Sequence, residues 1–345
     1  MSVEPGLAAA RFTRFRPPPT LVAILFAAIV GGALVLASGA NPAEAYYQIL
    51  VGSLSWNSLP DTLNWATPLV GMTLVAAVPL RGGMINLGGD GQLVIGAFVA
   101  ATIPLYLPGP GPLVASLALF AAAIAGGLYA ALAAWGETRH GVPMLISSLL
   151  LSYPAVGVAS YLARFPLRDT ATGLPQTALV PEDARLLALN GALNVGVLVI
   201  AAFAILTVFV DRRTVAGFEL RMRGKNARFA GYGGVRLDRQ ATRVMFASGA
   251  IAGTVGAIIV LGSQFRFIDD SLLTPAYTWS GLMAALLANG EPVGAIVAGL
   301  FFAALQTGGF AMQRETSVPR VLTIVLQSIV ILFLAVRHGL GRRAS

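Results

Sequence analysis

Along the chain, apolar residues gather into ten stretches that approach the roughly 20 residues needed to cross a bilayer core. In the first half they lie near Thr20–Ser38, Asp61–Leu80, Met84–Leu107, Leu113–Trp135 and Val142–Ala163. In the second they lie near Leu193–Val210, Arg243–Gly262, Tyr277–Gly290, Val293–Ala311 and Pro319–Val336. The eighth is short, so the pattern predicts an all-α, polytopic transmembrane bundle of about ten spans, with a range of eight to ten. Two connections interrupt it at length. Residues 164–192 hold Pro166, Pro175 and Pro181 with mixed charge, and residues 211–242 are dominated by arginine. Other links are short, such as Pro108-Gly109-Pro110-Gly111-Pro112, where proline forbids a helix interior.

Composition narrows the field. Of the 345 residues only 11% are charged and 56% are hydrophobic, against about 25% charged in an ordinary soluble domain. A chain this long could not clothe a water-soluble surface with so few charges, which excludes soluble enzymes, nucleic-acid binders and disordered scaffolds. With no cysteine and two distant histidines, His140 and His338, disulfides, thiolate chemistry and a histidine metal site are not expected.

The net charge of +8 matters through its distribution, because cytoplasmic loops collect Lys and Arg. With the N-terminus inside, Arg11, Arg14, Arg16, Arg81, Arg139, nine basic residues in 211–243, and Arg337, Arg342 and Arg343 fall on the inner side. Arg164, Arg168, Arg185, Arg266, Arg314 and Arg320 fall outside, so all 23 basic residues fit ten spans with both termini cytoplasmic. Residues 1–19 then form a cytoplasmic segment, 20–336 the membrane body, and 337–345 a basic cytoplasmic tail. The first stretch, with its Arg-rich start, also resembles a secretory signal. Its apolar run, Leu21–Ala37, exceeds the 7–15 residues usual for a signal core, which favours an uncleaved anchor.

Cutting the bundle after the fifth stretch gives two sets of five, the second inverted. In each set the third member is defective. One is interrupted by Gly88, Gly89 and Gly91; the other is short and ends at Asn289-Gly290-Glu291-Pro292. Paired defects in inverted halves point to a midplane solute path, although glycine also serves close helix packing. Asp90 is the sole acid well inside a predicted span, and an intramembrane carboxylate is by default a functional candidate. It can equally cap the helix that resumes after the glycines. Asn86 and Gln92 can satisfy backbone groups freed by the break, or face a polar cavity. Gln306 can line the same path or bridge two helices. Trp56, Trp65, Tyr277 and Trp279, near predicted span ends, fit interfacial belts better than stacking on a base.

The run Asn86-Leu87-Gly88-Gly89-Asp90-Gly91-Gln92 resembles the Asn-Ile-Gly-x-Glu-Gly-Gln segment of permease subunits from the ABC importers for simple sugars and nucleosides. Leu87 stands for the isoleucine and Asp90 for the glutamate. Leu220-Arg221-Met222-Arg223-Gly224-Lys225-Asn226, followed by Ala230, Tyr232, Gly234 and Arg239, is similar to that family's cytoplasmic Leu-Arg-Ala-x-Gly-x-Asn stretch. The small-residue helix Ser248–Gly256 follows it. Ile146–Tyr153, Pro166–Thr177 and Ala304–Gln313 resemble further family segments, the last two those of nucleoside permeases.

The resemblance implies a membrane permease that translocates a small polar solute, a nucleoside or simple sugar, by alternating access. Residues 226–232 would form a short coupling helix docking on a separate ATPase subunit, with Arg221, Arg223, Gly224, Asn226, Arg228, Tyr232 and Gly234 shaping or contacting that dock. Arg228, Gly231 and Gly233 depart from the family pattern, and the two glycines weaken an exposed helix by about 1 kcal/mol each. The implied partners are an ABC ATPase using ATP and Mg, a second permease that is a copy or a paralogue, and an extracytoplasmic solute-binding lipoprotein. Membrane lipid surrounds the chain in a bacterial plasma membrane. The solute path would take Asn86, Asp90, Gln92, Asn289 and Gln306. No cofactor and no ATP are expected on this chain, which has no Gly-x-x-x-x-Gly-Lys-Ser/Thr loop. The rival readings are an ion-coupled secondary transporter with broken helices and an intramembrane enzyme, which would need a second ionisable group beside Asp90.

Overall fold

In an apolar surround every backbone amide must find its partner within its own segment, and the apolar stretches accordingly become helices. The computed structural model describes residues 19–191, 193–316 and 318–329. The helices are α1 (Pro19–Ala37), α2 (Pro42–Leu54), α3 (Leu59–Arg81), α4 (Gly89–Tyr106), α5 (Gly111–His140) and α6 (Met144–Arg164). After a loop carrying the small antiparallel pair Ala188–Asn190 and Leu193–Asn194 come α7 (Gly196–Arg213), α8 (Val215–Lys225), α9 (Ala227–Tyr232), α10 (Leu237–Ile259), α11 (Tyr277–Leu287) and α12 (Pro292–Thr316). Residues 321–329 are again helical. The expected segment 1–19, all but its last residue, and the tail 337–345 lie outside the described residues.

Helices α3 and α10 form the centre. Of their apolar windows 72% and 78% are buried, against 28% for α6. Helix α10 can sit there because Gly249, Gly253 and Gly256 let it press backbone to backbone on α5 and α4. A Cβ on Gly256 would stand 2.8 Å from the Ala97 nitrogen, and one on Gly126 of α5 would stand 2.9 Å from the Gly253 Cα. Small residues are the usual means of close helix approach in a bilayer, where hydrophobicity alone does not join helices. The packing has a regular form: α10 lies against α4 and α5, while α3 lies against α11 and α12. Outward faces carry Ile29, Phe120, Val158 and Ile205, all exposed, as a lipid-facing surface requires.

Length and apolarity support part of the expected count of about ten spans. Among the described residues five helices pass as membrane-crossing, or six if the bent pair 25–37 and 42–54 is counted as one, with a bend of 119°. Helix α11 has only 11 residues, α4 opens on Gly-Asp-Gly-Gln, and α7 ends on Asp211-Arg212-Arg213. The tenth stretch runs partly outside the described residues. Helix α2 was not anticipated. It starts at Asn41, whose side chain accepts from the Ala43 amide, with Pro42 in the first turn, a favourable helix start.

The short eighth segment starts where expected, at Tyr277, and gives way to a turn at 288–290. Irregular backbone over 265–276 precedes it. Helix α10 ends in a π turn at Val260–Gln264, and Phe265 takes a left-handed conformation at φ 55°. This segment is knitted to the 164–192 loop. The amide of Thr177 donates to the Phe267 carbonyl at 2.9 Å and that of Val180 to the Phe265 carbonyl at 2.8 Å. Asp269 accepts from Ser160 at 3.0 Å and pairs with Arg164 at 2.6 Å.

Candidate functional site

Helix α3 stops after Arg81 because Gly82 and Gly83, the latter at φ 72°, turn the chain back into the bundle. Residues 84–88 are not helical, so their backbone groups need partners from elsewhere. Asn86 supplies them. Its Oδ1 accepts from the Gly88 amide at 2.9 Å and from Gln92 Nε2 at 3.0 Å. Its Nδ2 donates to Gln92 Oε1 and to Ser248 Oγ, both at 2.9 Å. Ser248 in turn donates to the Val75 carbonyl of α3 at 2.6 Å. From α6, Ser148 Oγ accepts from the Leu87 amide at 3.0 Å, and Ser152 Oγ from the Gly91 amide at 3.4 Å. Asn86, Gln92, Ser148 and Ser248 are all buried. They pin the break to α3, α6 and α10.

Asp90 stands apart from that network. It lies half-buried in the first turn of α4, beside Thr278 in the first turn of α11. The contact is close: a Cβ on the neighbouring Gly89 would stand 2.7 Å from Thr278 Cγ2 and 2.9 Å from Met72 Cε. Thr278 Oγ1 is buried and outside hydrogen-bond geometry with any described group. Two helix N-termini therefore converge deep in the bundle with a carboxylate between them, an arrangement whose partial positive charges favour the anion. Nearby, Trp65 of α3 lies 6.2 Å from Tyr277 and 5.5 Å from Phe310, ring to ring. These aromatics gather between α3, α11 and α12, whereas Trp56 is exposed. Gln306 sits one turn before Phe310 and is partly buried. Asn289 is not brought to this place. It lies beyond the far end of α11, about 16 Å along the axis from Thr278, where a Cβ on Gly290 would stand 3.1 Å from the Arg81 nitrogen.

That far end of the bundle carries the arginine-rich segment. Thr214 caps α8 by accepting from the Gly217 amide at 3.2 Å, and Asn226 caps α9 by accepting from the Phe229 amide at 3.0 Å. Such caps recover about 1 kcal/mol each, which a six-residue helix needs. Ala230 is buried beneath α9, while Arg228, Phe229 and Tyr232 point outward, Tyr232 at 91% exposure. Arg223 donates to the Leu237 carbonyl at 2.8 Å, closing α8 against the start of α10. Gly224 packs on Gly83, whose Cβ would stand 3.6 Å from the Gly224 Cα, and Gly234 turns the chain at φ 88°. Arg221 reaches Asp211 at 3.5 Å, and Arg81 grips the same carboxylate at 3.0 and 3.1 Å.

Of the residues expected to shape or contact the dock, Arg221, Arg223, Gly224, Asn226 and Gly234 build the segment, and Arg228 and Tyr232 face outward with Phe229. Sequence reasoning missed Asp211, Arg81, Ser148, Ser248 and Thr278 as site residues. The two serines stand in family-like stretches, which was a usable signal. Arg81 and Asp211 are 130 positions apart and carry none.

Comparison with known proteins agrees with this architecture. Residues 58–335 match the family described as "Branched-chain amino acid transport system / permease component". A glucose ABC transporter permease protein of Haloferax volcanii is 32% identical over 327 residues, covering 91% of this chain and 86% of that protein. A guanosine ABC transporter permease protein of Bacillus subtilis is 28% identical over 334 residues, covering 93% of each. A probable riboflavin import permease protein of Treponema pallidum is 27% identical over 342 residues, covering 93% of this chain and 88% of the other. The chain thus belongs to the permease family of ATP-binding-cassette transporters, as a multi-pass membrane subunit of the nucleoside and simple-sugar type.

Proposed function

We propose that this permease imports a nucleoside or a simple sugar through a path it shares with a second permease, a copy or a paralogue. An ABC ATPase, using ATP and Mg, engages the 211–242 segment, and an extracytoplasmic binding protein delivers the solute to the opposite end. The observation that carries the reading is the short capped helix α9, which holds Phe229 and Tyr232 exposed at the arginine-rich end. Two exposed aromatics on a fixed helix are poorly explained by lipid attraction of a basic loop, and well explained by a groove on a partner. The names of the relatives, transporters of guanosine and glucose, favour these solute classes, and their ABC character favours ATP drive over ion coupling.

Ten spans in two inverted sets of five remain the topology we favour. Under the pairing of α3 with α10, α4 with α11 and α5 with α12, the contacts of α10 with α4 and α5 map onto those of α3 with α11 and α12. The converging first turns of α4 and α11 then mark the midplane. Asp90, Thr278 and Gln306 are the polar groups we assign to the solute path, Asn86 and Gln92 stabilising its wall from behind. A path that must release its cargo needs few strong contacts. Differential contacts in the inward- and outward-open states supply the coupling. The arginine-rich end, α9 and both termini are cytoplasmic in this reading.

The test is uptake by proteoliposomes holding the permeases, the ATPase and the binding protein. ATP-dependent accumulation of labelled guanosine or glucose supports the reading. Accumulation of neither, with a binding protein that binds neither, overturns the solute assignment.

A further inference from the structure

Asp211 closes α7 at the arginine-rich end and is buried, with 6% of its side chain exposed. Such a carboxylate must be compensated, and here the compensation is shared between two elements. Arg81, the last residue of α3, donates through Nε to Oδ1 at 3.0 Å and through Nη2 to Oδ2 at 3.1 Å. Arg221, on α8, brings Nη1 to 3.5 Å from Oδ1, and that nitrogen is itself buried with no hydrogen bond. The second arm is thus longer than the first and its buried donor is incompletely satisfied.

Apolar contacts run beside the ion triad. Leu220 of α8 packs with Met84, Met144 and Met245, and Met84 is two residues from Asn86, which anchors the break before α4. A cavity of about 190 Å³, lined by Val78, Arg81, Asp211, Leu220 and Pro292 among others, adjoins the triad. There is room beside the carboxylate for side chains to rearrange.

We infer that Asp211 is a positioning residue for energy coupling: it holds Arg81 and Arg221 together so that the ATPase-facing segment and the break before α4 move as one body. The bidentate Arg81 arm fixes the carboxylate to α3. The looser Arg221 arm follows α8, and displacement of α8 by the ATPase is passed through Asp211 and Leu220 to Gly82, Gly83 and Met84. Loss of the carboxylate leaves two arginines facing each other and removes the ionic link between α8 and α3, leaving the packing of Leu220 and Gly224 on Gly82 and Gly83.

This inference rests on the coupling role of the 211–242 segment, and its test separates the two. In proteoliposomes of the full transporter, solute imported per ATP hydrolysed is measured for Asp211→Asn, Asp211→Glu and Arg221→Gln. We expect Asp211→Asn to insert and to co-purify with the ATPase, yet to fall several-fold in solute per ATP. Asp211→Glu, which keeps the charge, restores at least half of the ratio; the ratio at unchanged insertion and co-purification is the readout that a merely structural carboxylate would not move. A wild-type ratio in Asp211→Asn overturns the inference. If Asp211→Asn fails to insert, Arg221→Gln, which removes only the half-exposed arm, decides it: a fall in the ratio supports the inference, and a wild-type ratio overturns it. Failure of the underlying reading looks different. It is an ATPase still bound and stimulated after deletion of 226–232.

Discussion

The amide of Asn86 uses both of its donors and both acceptor positions inside the bundle, on Gly88, Gln92 and Ser248. Asp90, four residues on, leaves that network and faces α11. The two residues should therefore fail differently when truncated. Asn86→Ala strands several buried polar groups, at about 1–3 kcal/mol for each one left unsatisfied. It should lower the thermal unfolding temperature in detergent whether or not solute is present. Asp90→Ala should unfold near the wild-type temperature yet lose most of its uptake, and wild-type uptake by an inserted Asp90→Ala protein would remove Asp90 from the path. The run that carries both residues was legible in the sequence as a break with polar residues. Which one is tied into the packing network and which one lies beside α11 was not legible, because the deciding partners, Ser248 and Thr278, lie more than 150 positions away.

At the scale of elements, α9 was expected at 226–232 from the family resemblance alone, and the helix runs Ala227–Tyr232. Helix α2 was not, since Glu44 and Gln48 dilute its apolar face and it crosses nothing alone. The short segment 277–290 was legible from its end signal, Asn289-Gly290-Glu291-Pro292, whereas the course of 265–276 was not, because it is held by bonds to the distant 164–192 loop. Phe229→Ala with Tyr232→Ala should abolish co-purification of the ATPase without affecting insertion; retained co-purification would place the dock elsewhere. The outer loop offers a pH test. The Ala171 amide and the Thr172 hydroxyl, aided by Arg266 and Gln176 against a small cost of burial, hold the Asp169 carboxyl below its ordinary value. A lowered carboxyl stabilises above the unfolded pKa, about 3.9, and the contribution is lost as pH falls through the folded value. Protection of 165–181 from hydrogen exchange should be level from neutrality to about pH 4 and fall below it, whereas Asp169→Asn should show the reduced protection already at neutral pH.

For the whole molecule, the segregation of basic residues observed among the described helices, Arg81, Arg139 and 212–243 at one end and Arg164, Arg266 and Arg314 at the other, follows the pattern that orients membrane proteins. The absence of cysteine makes orientation directly measurable. Leu187→Cys should react with an impermeant maleimide in intact cells, and Tyr232→Cys only after permeabilisation; the reverse pattern would invert the topology. The class of the fold and the order of its apolar segments were visible in composition and periodicity alone. The start of α4 at Gly89, rather than near Met84, was not, because the bonds that hold 84–88 irregular come from α6 and α10. The most direct test of the account is uptake by reconstituted permease with and without its ATPase. We predict that accumulation appears only when ATP and the ATPase are both present. Accumulation at full rate by the permease alone, driven by an ion gradient, would contradict the account.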